Sequence, residues 1–391
     1  MKVAFIVWNP FQLIQFEPLA KLCVEPTVIL IDKETNAKLF PRDMLKSKHW
    51  KTVFVKPAEI PLIDGTHDVI VFQSAFPNIE KIKESKLVSL QYGLAKERHN
   101  YGEWRALADM NLMYGEYSKN IVSHYAPSYS VGNLKFDNWQ DYLNRYSEST
   151  ELKKELNLDP TKKTLLYMPT WGELGSFDAL LKPIASLQSK YNVILKMHHN
   201  NDAKVPEWLI SARQEKLKHI HDGSADQLKL LCAADLIISD FSGAIFDGMF
   251  ANKPILLFQE NSSDKIGVQK FDLESLEFAR RNEIGHVCES ADDFEGSVHY
   301  ALTHSVDLVE KAKHLRSELF SQPSDKSSAQ ASIDYITKLA NGEIPSLTQA
   351  QKYVRETVQK LRTIEPKYNR LQKQVKTMKK PFLSRLVSLK I

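Results

Sequence analysis

The strongest constraint on this chain is a rhythm: short apolar runs rich in β-branched residues alternate with amphipathic stretches almost from end to end. Val3–Val7, Thr27–Ile31, Thr52–Val55, Val69–Phe72, Leu87–Leu90 and Met110–Tyr114 form a first series of predicted strands. Thr164–Tyr167, Val193–Lys196, His219–His221, Leu236–Ser239, Ile255–Phe258 and Gly285–Val287 form a second. Strands separated by helical patterns predict βαβ units and hence parallel sheets. A length of 391 residues exceeds what one core usually supports, so two Rossmann-like α/β domains are expected. The polar stretch 137–162 parts the two series and sets the boundary near residue 150. The expected division is 1–150, 151–345 and a helical tail over 346–391. Parallel sheets bind ligands beyond the carboxyl ends of their strands, so two facing domains predict a cleft there.

Charge is unevenly spread. Residues 352–391 carry twelve Lys/Arg and two acids, a net +10 that leaves the other residues at −6 within a total of +4. A mildly acidic body argues against nucleic acid as a partner, whereas the basic tail suits an anionic membrane surface. Within the tail, Val354, Leu361, Tyr368 and Val375 recur every seven residues, as do Ile364, Leu371 and Met378. That spacing also fits a helix packed on its own protein or a dimerising helix that makes a homodimer. The first apolar run is too short for a signal peptide, and no uncharged run approaches a membrane span. Cys23, Cys232 and Cys288 are scattered and odd in number, which argues against a disulfide framework and for a reducing, cytoplasmic compartment. Peripheral attachment to the inner face of the cell membrane is the expected location.

Chemistry concentrates at three strand ends. In ADLIISDFSGAIFDGMFANKPILLF (234–258) a strand ends at Asp240, and a helix begins after the small-residue turn at Ser242 and Gly243. Unpaired amides at such a turn, with the helix dipole behind them, make an anion site. A plain turn with Ser242 as helix cap is the alternative. YMPTWG (167–172) places Thr170 and Trp171 at a second strand end, and LKMHHN (195–200) places Lys196 and His198 at a third. In one parallel sheet all three open on the same edge and converge on one ligand. His219 and His221 share a strand face but lack a third ligand at suitable spacing, so no metal site is expected.

These blocks resemble those of the CDP-glycerol glycerophosphotransferases, written "APTW", "K-x-H-P" and "TDYSS…FD…KP" in that family. Val131–Asp137 (VGNLKFD) is similar to its "TG-x-PR-x-D" block, and the resemblance spans roughly residues 85–260. It implies the GT-B fold, with an N-terminal acceptor domain and a C-terminal nucleotide-donor domain. It further implies donor phosphate bound by Ser242, Gly243 and His198 and nucleotide beside Asp247; the strand ends themselves add Thr170 and Lys196 for the phosphate and Asp240 and Trp171 for the nucleotide. The donor it implies is CDP-glycerol or a similar CDP-alditol, with no obligatory metal or other cofactor. The acceptor is a hydroxyl on a lipid-linked or polymeric glycan of teichoic-acid or capsule type. The family's base lies in a "W-H-G-T-P-x-K" block; here the residues are Gln91–Lys96, and Tyr92 stands at the histidine's position. An unperturbed phenol, with a pKa of about 10, is a poor base at neutral pH, which turns attention to Glu97 and above all His99. Two alternatives stay open: a GT-B glycosyltransferase using a nucleotide sugar for lipopolysaccharide or capsule, and a non-catalytic assembly subunit.

Overall fold

The computed structural model describes residues 1–31, 40, 42–146, 149–198, 205–259, 273–321 and 326–387, which build two wholly parallel sheets. The first contains β1 (Val3–Val7), β2 (Thr27–Ile31), β3 (Lys51–Val55), β4 (Val69–Phe72), β5 (Lys86–Leu90), β6 (Met110–Met113) and β7 (Ser128–Ser130), in the order β3-β2-β1-β4-β5-β6-β7. The second contains β8 (Thr164–Tyr167), β9 (Asn192–Lys196), β10 (His219–His221), β11 (Leu236–Ser239), β12 (Ile255–Phe258) and β13 (His286–Cys288), in the order β10-β9-β8-β11-β12-β13. Each expected strand is present, with no end shifted by more than one residue. Among the described residues only β7 is additional, because its three residues, Ser-Tyr-Ser, carry no apolar run. In both sheets the order reverses beside the first strand, between β1 and β4 and between β8 and β11, where doubly wound folds open a crevice.

Central strands are buried on both faces, as continuous apolar runs require. Burying each large aliphatic chain contributes about 1.5–3 kcal/mol. One core packs Val3, Phe5 and Val28 under the first sheet, and others pack Leu166, Ile194 and Ile237 or Leu165 and Leu195 around the second.

The boundaries at 150 and 345 need correction. Phe136, Tyr146, Leu152 and Leu158 already belong to the second domain's core, so the chain crosses near residues 132–136. It crosses back before the helix Ser328–Ala340, whose Ala329, Ile336 and Leu339 pack on Val3, Phe5 and Leu30 of the first domain. Apolar faces choose the core that has room for them, and the polarity of the intervening stretch does not decide this. The two crossings touch at Gly132 (φ +91°), where a Cβ would lie 2.5 Å from Ser328 Oγ. Asp137 then caps the returning helix by accepting from the amides of Ser328 and Ala329, both at 2.7 Å.

The helix Gln349–Val387 is likewise divided. Val354 and Val358 join the first domain's core beside Trp104 and Leu107. Arg355 donates to the carbonyl of Ala106 (2.8 Å) and to Asp109 (3.0 Å), and Arg362 pairs with Glu103 at 2.8 Å. Beyond that, Leu361, Ile364, Tyr368, Leu371 and Val375 are 46–59% exposed. Among the described residues no helix is long and apolar enough to cross a membrane.

Candidate active site

The carboxyl ends of the two sheets face each other across a cleft with two adjoining cavities, of about 180 and 510 Å³. Both are lined by Phe11, Lys135, Lys196, Gly223 and Gln227, so they form one continuous space. Of the residues singled out in the sequence, Tyr92, His99, Lys196, His198, Ser242, Gly243 and Asp247 line the narrower cavity. Asp247 is the only acid lining it among the described residues, against Lys96, Lys135, Lys196 and the two histidines. Such a lining favours an anion.

The turn after β11 forms the floor. Ser242 Oγ accepts from the amide of Ala244 at 3.3 Å, and the amides of Ile245 and Phe246 donate to the carbonyls of Ser242 and Gly243. Three of the amides expected to be open are therefore used within the turn. Among the described residues the amides of Ser242 and Gly243 have no hydrogen-bond acceptor. Gly243 has an ordinary φ of −59°, and a Cβ there would meet only Ala95 Cβ at 3.8 Å. Its missing side chain therefore enlarges the cleft and relieves no backbone strain. His198 sits at the end of β9 with its ring 6.4 Å from that of Trp171. His199 and Asn200 lie outside the described residues.

Four expected site residues are not at the cleft surface. Asp240 is 1% exposed, and its carboxylate accepts from the amides of Thr170 (2.9 Å) and Ser176 (2.8 Å) and from Ser176 Oγ (2.8 Å). Burial pushes its pKa up, while those donors and the nearby Arg281 oppose the shift. It ties the ends of β8 and β11 together rather than touching nucleotide. Thr170, 1% exposed, is held in the same knot and does not line the cavities. Trp171 is partly exposed, with its ring 6.4 Å from that of His198, and lines neither cavity. Glu97 turns away, accepting from Tyr117 Oη at 2.8 Å and from the amide of Leu276 at 3.3 Å.

The opposite wall is the loop from Gln91 to Tyr101. Gln91 anchors its start by accepting the amide of Tyr114 (2.7 Å) and donating to Ser118 Oγ and the carbonyl of Gly93. Arg105, fully buried, holds its end through the carbonyl of Asn100 at 2.5 Å. Tyr92 lines the cavity edge-on to Phe11, but burial and the charge of Asp247 push its phenol well up, so it is no base. His99 lies at the cleft mouth, with its pKa lowered by partial burial and by Lys96 and Arg105. A neutral imidazole across the physiological range suits proton removal.

Two groups escaped attention in the sequence. Lys135 Nζ lies 2.6 Å from Asp247 Oδ2 and 3.2 Å from Gln227 Oε1, 5.0 Å from the Phe11 ring centre. Gln227 also donates to Asp247 at 2.8 Å. Lys135 was visible in VGNLKFD, but nothing in the sequence announced its partners. Glu277 and Arg281 come from a stretch without any motif. Arg281 donates to the carbonyls of Asp240, Glu277 and Phe258, each at 3.0 Å, and so braces the floor from below.

The sequence model of the CDP-glycerol:poly(glycerophosphate) glycerophosphotransferase family matches residues 132–338, more than half of the chain. The chain belongs to this family. The match begins later and runs further than the expected 85–260, so it includes the turn after β11 and leaves out the loop of His99. Among curated relatives, a teichoic acid poly(glycerol phosphate) polymerase of Bacillus spizizenii is 28% identical over 126 residues, 29% of this chain and 31% of the relative. The polymerase of the same description from Bacillus subtilis is 30% identical over 136 residues, 32% of this chain and 18% of the relative. The chain thus spans less than a third of the length of these glycerophosphotransferase relatives. The wall teichoic acid polymerase TagF shares the fold, with a TM-score of 0.59 at 15% identity over 88% of this chain and 90% of that one. MnaA of S. aureus, solved with UDP, gives 0.57 at 14% identity over 89% and 100%. The GT-B expectation therefore holds.

Proposed function

We propose that the chain transfers glycerol phosphate, or a similar alditol phosphate, from a CDP-activated donor to a hydroxyl of a lipid-linked or polymeric cell-surface glycan. One observation carries the reading: Lys196, His198, Ser242 and Gly243 on one wall and Lys96 on the other line a single cleft, with His99 at its mouth, in a member of this family. His99 accepts the proton of the acceptor hydroxyl, whose oxygen attacks the phosphorus bonded to glycerol. The bond from that phosphorus to the bridging oxygen breaks, and CMP leaves with the electron pair. The amides of Ser242 and Gly243 and the cationic side chains stabilise the negative charge that collects on CMP, a contribution of positioning and electrostatics. Lys135, Gln227 and Asp247 form the polar end of the cleft, where a ribose or cytosine finds donors and an acceptor. The side chains supply the positive charge, so turnover with EDTA present is expected.

The exposed stripe of the last helix supports placement at an anionic membrane surface. Residues 366–391 contain no acid, and Arg362, Lys367, Arg370 and Lys373 flank the exposed apolar side chains. Release of CMP from CDP-glycerol, dependent on acceptor, tests the reading. Release from a CMP-, UDP- or GDP-sugar instead overturns it in favour of sugar transfer, and no turnover with any donor favours an assembly role.

A further inference from the structure

Lys96 adopts a left-handed backbone, φ 60° and ψ 58°. For a residue with a Cβ this costs about 1–2 kcal/mol, and it persists where surrounding contacts fix it. Those contacts come from the other domain. The amide of Lys96 donates to Glu277 Oε1 at 2.6 Å, the amide of Glu97 donates to Ser275 Oγ at 3.1 Å, and Glu97 Oε1 accepts from the amide of Leu276 at 3.3 Å. Three hydrogen bonds thus fasten the turn carrying Lys96 and His99 onto the second domain. Glu277 has no exposed surface, and among the described residues its Oε2 has no hydrogen-bond partner. A carboxylate buried this way is costly unless its charge is used. The Lys96 charge favours the Glu277 carboxylate and the Glu97 charge opposes it, its own charge favours the Arg281 cation, and Asp240 acts on both cations.

We propose that Glu277 is a positioning residue, which pins the left-handed Lys96 from across the cleft and sets the Lys96–His99 turn over the donor phosphates. The second domain carries the donor floor and Glu277 together, so a correctly seated floor and a correctly seated base become one event. The inference deepens the transferase reading and rests on it for its kinetic half. Its structural half concerns only the two domains. Burial raises the Glu277 pKa to about 7, with Lys96 opposing that shift. Below that pH the neutral acid still offers an oxygen to the amide of Lys96, but the ammonium loses its counter-charge.

Amide hydrogen exchange on the full chain, with and without CDP, is measured beside turnover of CDP-glycerol for Glu277→Ala, Glu277→Gln and Ser275→Ala. Glu277→Ala is expected to speed exchange over residues 94–100 at least about tenfold and to lower kcat about 10- to 100-fold, with CDP affinity within about threefold. Glu277→Gln keeps an acceptor oxygen but mimics the protonated acid, so it restores protection, holds kcat above pH 7 at the lower level the wild type reaches on its acid limb, and removes that limb near pH 7 from the rate profile. Ser275→Ala loosens Glu97 by a smaller factor and reads the clasp even if Glu277→Ala does not fold. Unchanged exchange in Glu277→Ala, or in Ser275→Ala where it alone folds, overturns the proposal, as does an acid limb that persists unmoved in Glu277→Gln. If the wild type turns over no CDP-alditol while exchange follows the expected order, the transferase reading falls and the clasp stands.

Discussion

The two walls of the cleft are built on different terms. The donor wall grows from the ends of β8, β9 and β11, backed by the buried knot of Asp240, Thr170, Ser176 and Arg281, and lies inside the span that the family model matches. The acceptor wall is one loop, Gln91–Tyr101, outside that span, with Tyr92 where the family pattern has histidine and with its strained turn held from the other domain. On the proposed reading, recognition of a nucleotide diphosphate falls to rigid strand ends. On the same reading, the group that meets the acceptor sits on a loop outside the matched span. If that contrast is real, damage on the acceptor side lowers turnover and spares donor binding, and damage on the donor side does the reverse.

The largest expected effect is on the loop. His99→Ala should lower kcat by about 10²–10⁴ with the CDP-glycerol KM little changed, since a general base acts in the transition state. Because partial burial and the neighbouring cations hold the His99 pKa below its ordinary 6.5, the imidazole is neutral at pH 7 and above. Its acid limb therefore lies below pH 6.5, apart from the one assigned to Glu277. Steady-state rates over pH 5–9 check both. A drop in donor affinity without loss of kcat would remove the base assignment.

Next comes the knot beneath the donor wall. Asp240→Ala leaves the amides of Thr170 and Ser176 unpaired and Arg281 with Glu277 as its remaining charge partner, at a cost of about 3–5 kcal/mol. Denaturant unfolding should show it, with CDP binding lost alongside. Asp240→Asn keeps the shape and should cost less. Equal stability of Asp240→Ala and wild type would mean that the floor is held by packing alone. Ser242→Ala and His198→Ala, each removing one polar group from the cleft, should weaken CDP-glycerol binding about 10-fold apiece and leave the fold intact. Isothermal titration checks them, and wild-type affinity in both breaks the donor side of the comparison.

The contrast also explains what was legible. Sheets, strand ends and the Ser242–Gly243 turn could be read because apolar runs and small-residue turns are local signals. So could the convergence of Lys196, His198 and Ser242, since parallel strands open on one edge. Asp240 was misplaced because sequence shows that a carboxylate ends a strand but not which way it faces; here the nearest amides claim it. Glu97 failed for the same reason, drawn to Leu276 and Tyr117, partners 179 and 20 residues away. Glu277 carried no local pattern at all, and its meaning appears only when Lys96 folds onto it. The boundary near 150 failed because a chain that crosses twice leaves no single compositional break.

The smallest effect belongs to the last helix, which repeats the contrast between docked and undocked parts. Removing residues 352–391 would strip Val354, Val358 and Arg355 from the first domain and confuse unfolding with lost docking. Removing residues 367–391 leaves those contacts and takes away eight cations (Lys367, Arg370, Lys373, Lys376, Lys379, Lys380, Arg385 and Lys390) and the outer half of the exposed stripe. Each cation near an anionic surface is worth about 1 kcal/mol at most, falling off within a Debye length. The truncated chain should therefore bind phosphatidylglycerol vesicles at least about tenfold more weakly, lose that difference at high salt, and turn over a soluble acceptor as before. Rates on a lipid-linked acceptor should fall only a few-fold, because the cleft is untouched. Equal vesicle binding by both chains, with a halved molar mass for the truncated one in light scattering, would instead assign the stripe Leu361, Ile364, Tyr368, Leu371 and Val375 to a second copy of the chain.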